Sequence, residues 1–275
     1  MAGTMQAPWE GYFPAFRIFG NLYFAGTMPA STHVIDTGDG LILLDSGYQE
    51  SLYLVLHSLH TLGLDERDIR YIVHTHGHID HIGGTRALVE LSGAKTFLGA
   101  ADRQYANGEL NLTYAAELGL RFDGTFEPDV LLRDGDIIRL GSTAITCRAT
   151  PGHTPGTMSF FFDVTDGEST FRAGLHGGSG INTMCRKFLD KYGLSYDCRT
   201  QFLQAMDRLQ NEPVDIFLGN HMHHNRTPEK YQRLQTGDRL AFISPDEWGT
   251  YALEAKSSLL ELLKQEQMED MTSSV

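Results

Sequence analysis

The chain has 275 residues, 41% of them apolar, and a formal net charge of −13. That length and apolar share suffice for a real core in one large α/β domain or two smaller ones. No run reaches the roughly 18 consecutive apolar residues of a membrane-spanning helix. The acidic balance, with no basic run, disfavours a phosphate-backbone partner.

The start, Met1-Ala2-Gly3-Thr4-Met5-Gln6, lacks the basic opening and apolar centre of a secretory signal. It points to a cytoplasmic chain unless a signal has been removed. Leu41-Ile42-Leu43-Leu44 reads as a buried strand running into the acidic turn Asp45-Ser46-Gly47. Leu52 to Leu62 carries apolar residues at helical spacing. Tyr71-Ile72-Val73-His74 is a second short strand, and His74 on it reads as packed or supporting rather than ligating. It leads into Thr75-His76-Gly77-His78-Ile79-Asp80-His81-Ile82-Gly83-Gly84, where three histidines and one aspartate fall within six positions. His and Asp are good ligands for zinc-like metals. His76 and His78, one residue apart, can converge on one ion, while Asp80 and His81 are offset and can face a second. A solvated His-rich turn does not explain a run embedded between strand and helix. Gly83-Gly84 opens a predicted helix from Thr85 to Leu91, with Ala87, Leu88 and Leu91 on its apolar side. Sites between a strand end and a helix start are common in α/β sheets.

Further along, Asn107 to Phe126, with Tyr114, Leu118, Leu120 and Phe122, reads as a flap over a site or as a plain surface helix. Val130-Leu131-Leu132 and Ile137 to Leu140 flank Asp134-Gly135-Asp136, a hairpin signal. Thr143 to Ala149 is apolar and places Cys147 in the core. Met158 to Val164 and Thr170 to Ala173 form a predicted strand pair around Asp166-Gly167. The loop Gly174-Leu175-His176-Gly177-Gly178-Ser179-Gly180 can simply turn the chain beside a site, or it can carry His176 to a metal, a water or the substrate. Phe202, Ala205, Met206 and Leu209 make a helical core stripe. After the apolar run Val214 to Leu218 come Gly219-Asn220-His221, then His223 and His224, which face either substrate or solvent. Pro245 to Gln267 reads as an amphipathic helix packing on the domain or on a second subunit. Met268 to Val275 reads as a frayed tail. Cys147, Cys185 and Cys198 are too few and too scattered for a disulfide framework or a Cys-rich zinc site.

The His-x-His-x-Asp-His run resembles the signature of the metallo-β-lactamase superfamily. Asp45-Ser46-Gly47 resembles the acidic turn that precedes it. Thr150-Pro151-Gly152-His153-Thr154-Pro155-Gly156 looks like the second ligand loop, and Gly219-Asn220-His221 looks like the last. The resemblance spans roughly residues 15 to 245. It implies an α/β (α+β) fold, a four-layer αββα sandwich, as a single domain over 1–275 with a C-terminal helix at about 246–267. It implies two Zn2+ ions, with Fe or Mn able to use the same ligands. His76, His78 and His153 would hold the first ion; Asp80, His81 and His221 would hold the second. A bridging aspartate is common in the family, but this chain reads Gly174-Leu175 at that place. That departure resembles the third subclass of metallo-β-lactamases.

The implied activity is hydrolysis: a water activated at the metals attacks a lactam, lactone, ester or thioester carbonyl of a small-molecule substrate. Asp80 would orient the nucleophile and relay its proton. Asp45 would support a ligating histidine, cap nearby amides, or do both; His176 and His224 are further candidates for support or substrate contact. The alternatives are an iron-dependent oxidoreductase on the same scaffold, a glyoxalase-type thioesterase, against which Leu175 speaks, and a non-catalytic metal binder. A flavodiiron arrangement needs an appended flavin domain, for which there is no room. Composition disfavours nucleic acid and membrane as partners and leaves the oligomeric state open.

Overall fold

The computed structural model describes residues 7–273, so the reading of Met1 to Gln6 lies outside the described residues. The strands are β1 (Phe16–Phe19), β2 (Leu22–Phe24), β3 (His33–Asp36), β4 (Leu41–Leu44), β5 (Ile69–Val73), β6 (Lys95–Gly99), β7 (Val130–Leu132), β8 (Ile137–Leu140), β9 (Thr143–Ala149), β10 (Met158–Thr165), β11 (Thr170–Leu175) and β12 (Ile216–Leu218). The helices are α1 (Leu52–Thr61), α2 (Ile79–Ile82), α3 (Thr85–Ser92), α4 (Arg103–Ala106), α5 (Arg186–Tyr192), α6 (Asp197–Leu209), α7 (Thr227–Gln235) and α8 (Glu247–Ser273). Strands β1 to β7 form one sheet in sequence order. It is antiparallel as far as β4 and parallel from β4 to β7. The second sheet has the order β12-β11-β10-β9-β8, with only β11 and β12 parallel.

Side chains on a strand point alternately to its two faces, and both sheets use both faces. Ile42 and Leu44 join Phe160, Phe162 and Val164 in the core between the sheets. Leu41 and Leu43 pack outward against Leu52, Val55, Leu59 and Leu88 of α1 and α3. Phe161 points the other way, to Leu209, Phe217, Trp248 and Tyr251. Phe202, Ala205 and Met206 of α6 meet Ala252, Ala255 and Leu259 of α8. Helices therefore cover both outer faces, and the expected αββα sandwich is present. Among the described residues no helix is long and apolar enough to cross a membrane.

Four local expectations change. The segments around Asp134-Gly135-Asp136 are not a hairpin: β7 pairs with β6 and β8 pairs with β9. The turn carries the chain from one sheet to the other, because Leu132 and Ile138 both belong to the core between them. On α3 the packed stripe is Thr85, Leu88 and the half-buried Val89, while Ala87 and Leu91 are exposed. The segment 107–126 is not a surface helix. It is irregular, with one 3-10 turn at Ala116–Leu118, and packs Leu118, Leu120 and Phe122 against Ala30, Tyr48, Ile79 and Ala115. Helix α8 continues without fraying to Ser273, with Leu253 and Leu260 facing solvent; 274–275 lie outside the described residues. The three cysteines are free, Cys147 buried and the others half-buried.

Candidate metal centre

The parallel strand β5 ends at Val73, and the chain turns there into the histidine run. Asp80 and His81 sit on α2, a single helical turn between the β5 end and α3. Close backbone approach fixes that turn. A Cβ on Gly83 would lie 2.5 Å from the Ile79 carbonyl oxygen and 2.6 Å from the Gln49 nitrogen, so only glycine fits.

His76, His78 and His153 each offer a ligand atom, all within 4.8 Å of one another, and His76, Asp80 and His81 form a second such group. The His76 Nε2 and His78 Nδ1 atoms are 3.1 Å apart. Asp80 Oδ2 lies 3.2 Å from His81 Nε2 and 3.5 Å from His221 Nε2. Asp80 thus neighbours both His81 and His221, although the three predicted residues do not form a group of their own: among the described residues the second cluster is His76, Asp80 and His81. His81 Nε2 is buried and has no hydrogen-bond partner. That leaves an unmatched nitrogen aimed at a carboxylate oxygen, as a metal position would require.

The other ring nitrogens are committed elsewhere. His153 Nδ1–H donates to the Gly180 carbonyl at 2.7 Å, and His221 Nδ1–H donates to the Pro29 carbonyl at 2.8 Å. His81 Nδ1–H donates to Asp45 Oδ2 at 2.7 Å. The Thr75 hydroxyl donates to the same carboxylate oxygen at 2.8 Å, so it accepts from His76 Nδ1–H at 3.0 Å. Asp45 therefore supports one histidine from each candidate ligand group, one directly and one through Thr75. It also caps the Thr75 amide at 2.7 Å. This arrangement fixes tautomers and leaves Nε2 of His76, His81, His153 and His221 free.

Burial dominates the electrostatics. It lowers the basicity of His76 and His78 well below the ordinary imidazole range, and neighbouring histidines lower it further. His153 is brought down to about 4, mainly by burial. These rings are neutral, as ligation demands. His81 goes the other way: burial would lower it, but Asp80 and Asp45 raise it to about 10. Burial would raise Asp80, yet His81 and its other histidine neighbours hold it below the usual carboxylate range.

The centre opens into a cavity of about 570 Å³ lined by Tyr48, Tyr114, Leu118, Ser179, Asn220 and His224. His224 is half-buried on this wall, and His223 is largely exposed at its edge. His176 does not join the cluster. Its ring packs against Trp248 and Tyr251, and its Nδ1 accepts from the Gly178 amide at 3.1 Å. Leu175 points into the core between the sheets, and Asp80 is the only carboxylate among the described residues lining the cavity. His74 is packed, bonded to the Phe97 carbonyl and the Thr85 hydroxyl.

Two supporting residues escaped sequence reasoning. Asp102, at the start of α4, accepts from the amides of Gly77 and Gly156 at 2.8 and 2.6 Å and from the Thr154 hydroxyl at 2.6 Å. It ties the loop of His76 and His78 to the loop of His153; burial pushes its carboxyl up to about 6 against those three hydrogen bonds. Tyr251, on α8, donates to Ser179 Oγ at 2.5 Å and lies 3.3 Å from His224 Nδ1. No local signal marks either one, because their partners are 25 to 72 residues away.

A sequence profile of the metallo-beta-lactamase superfamily matches residues 25–166. The native FEZ-1 metallo-beta-lactamase from Legionella gormanii superposes with a TM-score of 0.85 at 26% identity, over 94% of this chain and 98% of that one. BJP-1, a subclass B3 metallo-beta-lactamase of Bradyrhizobium japonicum, gives 0.81 at 26% identity, over 97% and 98%. Among curated sequences, a hydroxyacylglutathione hydrolase of Anaeromyxobacter dehalogenans is 29% identical over 153 residues, 54% of this chain and 50% of that protein. An uncharacterized protein of Aquifex aeolicus is 40% identical over 90 residues, 33% of this chain and 42% of that protein. The chain spans about half the length of the curated relatives it matches.

Proposed function

The chain belongs to the metallo-beta-lactamase superfamily, and from that membership we propose that it is a dinuclear, zinc-dependent hydrolase of a small-molecule carbonyl substrate. The observation that carries the proposal is the convergence of His76, His78 and His153 beside Asp80 and His81, with His78, Asp80 and His153 lining an open cavity. His76, His78 and His153 would hold one ion, and Asp80, His81 and His221 the other. The set is all nitrogen and oxygen, which suits zinc. The buried, unpartnered His81 Nε2 supports that fit.

An ion of this kind supplies Lewis acidity and lowers the pKa of a water toward 7. The chain's own residues do the rest. Asp80, ionised and facing the cavity, orients the attacking water by accepting its hydrogen bond. Ser179, Asn220 and His224 offer hydrogen bonds to a substrate. Tyr48, Tyr114 and Leu118 form an apolar wall that displaces bulk water. Hydrolysis adds water across the acyl bond: the carbonyl carbon gains the hydroxyl, and the leaving nitrogen, oxygen or sulfur takes the proton. With no carboxylate at Leu175, the likeness to subclass B3 metallo-beta-lactamases supports a lactam-type reaction over a glyoxalase- or lactonase-type one.

The test is hydrolysis of a chromogenic β-lactam, a lactone, an ester and a thioester by zinc-loaded protein, with a chelator-treated control and metal analysis. Chelator-sensitive turnover with two bound equivalents is expected. No turnover of any class, with less than one equivalent retained, would overturn the proposal.

A further inference from the structure

Two cavities border the pair His78 and His153: the larger, of about 570 Å³, and a second of about 260 Å³ toward α5 and α6. The second mixes apolar and polar walls, among them Leu112, Phe188, Leu194, Ser195, Asp197 and Gln201. Of the two spaces, Tyr114 lines the larger and Phe188 the smaller. Their rings meet with centroids 5.8 Å apart and planes at 32°, and the Tyr114 ring also lies 5.5 Å from that of His78. The two rings therefore continue the partition that the histidine pair begins.

Tyr114 holds a φ of 65°, a conformation unfavourable to a residue with a Cβ. Such a backbone persists where its surroundings fix it, and here both flanks are fixed. On one side the Thr113 carbonyl accepts from the Ile79 amide at 2.9 Å, one residue beyond His78. On the other, Glu117 accepts from Lys191 Nζ at 2.7 Å and from the Tyr192 hydroxyl, both on α5. The segment is thus tied at one point to the ligand loop and at another to the helix that carries Phe188, with the Tyr114 ring held between them. We propose that Tyr114 is a specificity-determining residue: its ring closes the smaller cavity to a substrate whose carbonyl sits at the histidine cluster. A compact acyl group stays on the Tyr114 side. A rigid, bulky one directed toward α5 overlaps the packed rings, and such overpacking is disfavoured. The assignment rests on the reading of the histidine cluster as the hydrolytic centre.

The experiment compares p-nitrophenyl acetate with p-nitrophenyl naphthoate on the zinc-loaded protein. Equilibrium titration of the metal-free protein with fluorescent naphthamide gives a readout independent of turnover. Glycine suits a positive φ, so Tyr114→Gly is the opening variant, with Tyr114→Ala as the second if the first does not fold. In Tyr114→Gly the naphthoate-to-acetate ratio of kcat/KM should rise about tenfold or more, and the amide should bind about tenfold or more tighter. Tyr114→Phe should restore the original ratio. Leu118→Ala enlarges the larger cavity beside Tyr48 rather than Phe188 and should not raise the ratio. Ester turnover with a ratio unmoved by Tyr114→Gly, or raised equally by Leu118→Ala, would overturn the role of Tyr114 and leave the hydrolytic centre standing. If neither ester is turned over, the hydrolytic reading fails and the titration decides: tighter amide binding in Tyr114→Gly keeps the ring as the partition between the two spaces, and unchanged binding removes it.

Discussion

Asp45 holds a φ of 59°, a left-handed conformation that an L residue other than glycine adopts at a cost of about 1 kcal/mol or more. That conformation brings both carboxylate oxygens onto donors: Oδ1 on the Thr75 amide, Oδ2 on the Thr75 hydroxyl and His81 Nδ1–H. Replacing Asp45 by Asn leaves one of these donors facing an amide NH2. Metal retention should weaken about 10- to 100-fold, measured by competition with a chromophoric chelator; unchanged affinity would show that Asp45 does not support the ligands. His78→Ala should remove a ligand outright, with metal analysis showing less than the full complement and turnover near the chelated background. Tyr251→Phe should leave the fold intact and lower substrate affinity by roughly 2- to 10-fold, the worth of one hydrogen bond, because Ser179 loses its partner. A KM unchanged by that substitution would detach Tyr251 from the cavity.

The ligand loops come from separate elements, and Asp102 joins two of them. Asp102→Ala strands two buried amides and a hydroxyl, each costing about 1–3 kcal/mol when unpaired, so a loss of about 3 kcal/mol or more in urea unfolding is expected, together with weaker metal binding. Loss of stability without any change in metal binding would mean that the clamp is only structural. Helix α8 is an integral layer. Trp248, at its first turn, is almost fully buried against Phe161 and Phe217, with its indole N–H donating to the Leu209 carbonyl at 2.7 Å. Trp248→Ala should cost about 3–5 kcal/mol, readable as a lowered urea midpoint. The apolar spacing of this helix was legible in the sequence. Which of its leucines face inward was not, because Leu253, Leu259 and Leu260 all read as apolar positions of the helix, yet only Leu259 is buried and the other two are exposed.

For the molecule as a whole, the ligand loops are held by protein hydrogen bonds, from Asp45 to Thr75, Asp102 to Gly77 and Gly156, and His153 to Gly180. Chelator-stripped protein should therefore keep its far-UV dichroism and lose only the stabilisation that binding adds to the folded state, seen as a lower Tm. Collapse of the dichroism on chelation would show that metal drives folding. Acid sensitivity has a separate source. Burial lowers His33, on β3, to about 4, whereas the unfolded ring titrates near 6.5. Between those values the unfolded chain binds the extra proton, so stability rises with pH across that window and falls as pH drops through it. For this residue the change amounts to about 3 kcal/mol at most. Melts at pH 7 and 4.5 should show the loss, and His33→Leu should shrink it.

The sequence by itself determined the superfamily, and the resemblance to that superfamily implied the sandwich and which histidines to look for. The resemblance rests on short-range features: a ligand run within six positions, an acidic turn before it, and two later histidine loops in the expected order. The tertiary structure decided what sequence distance hides. It sent Leu132 and Ile138 to different sheets across a turn that reads locally as a hairpin, since burying both in one core outweighs local turn preference. It withdrew His176 behind Gly178, against the aromatic rings of α8. It recruited Asp102 and Tyr251, whose partners lie far along the chain. It also opened a cavity beside His153, where an irregular segment, α5, α6 and the His153 loop meet.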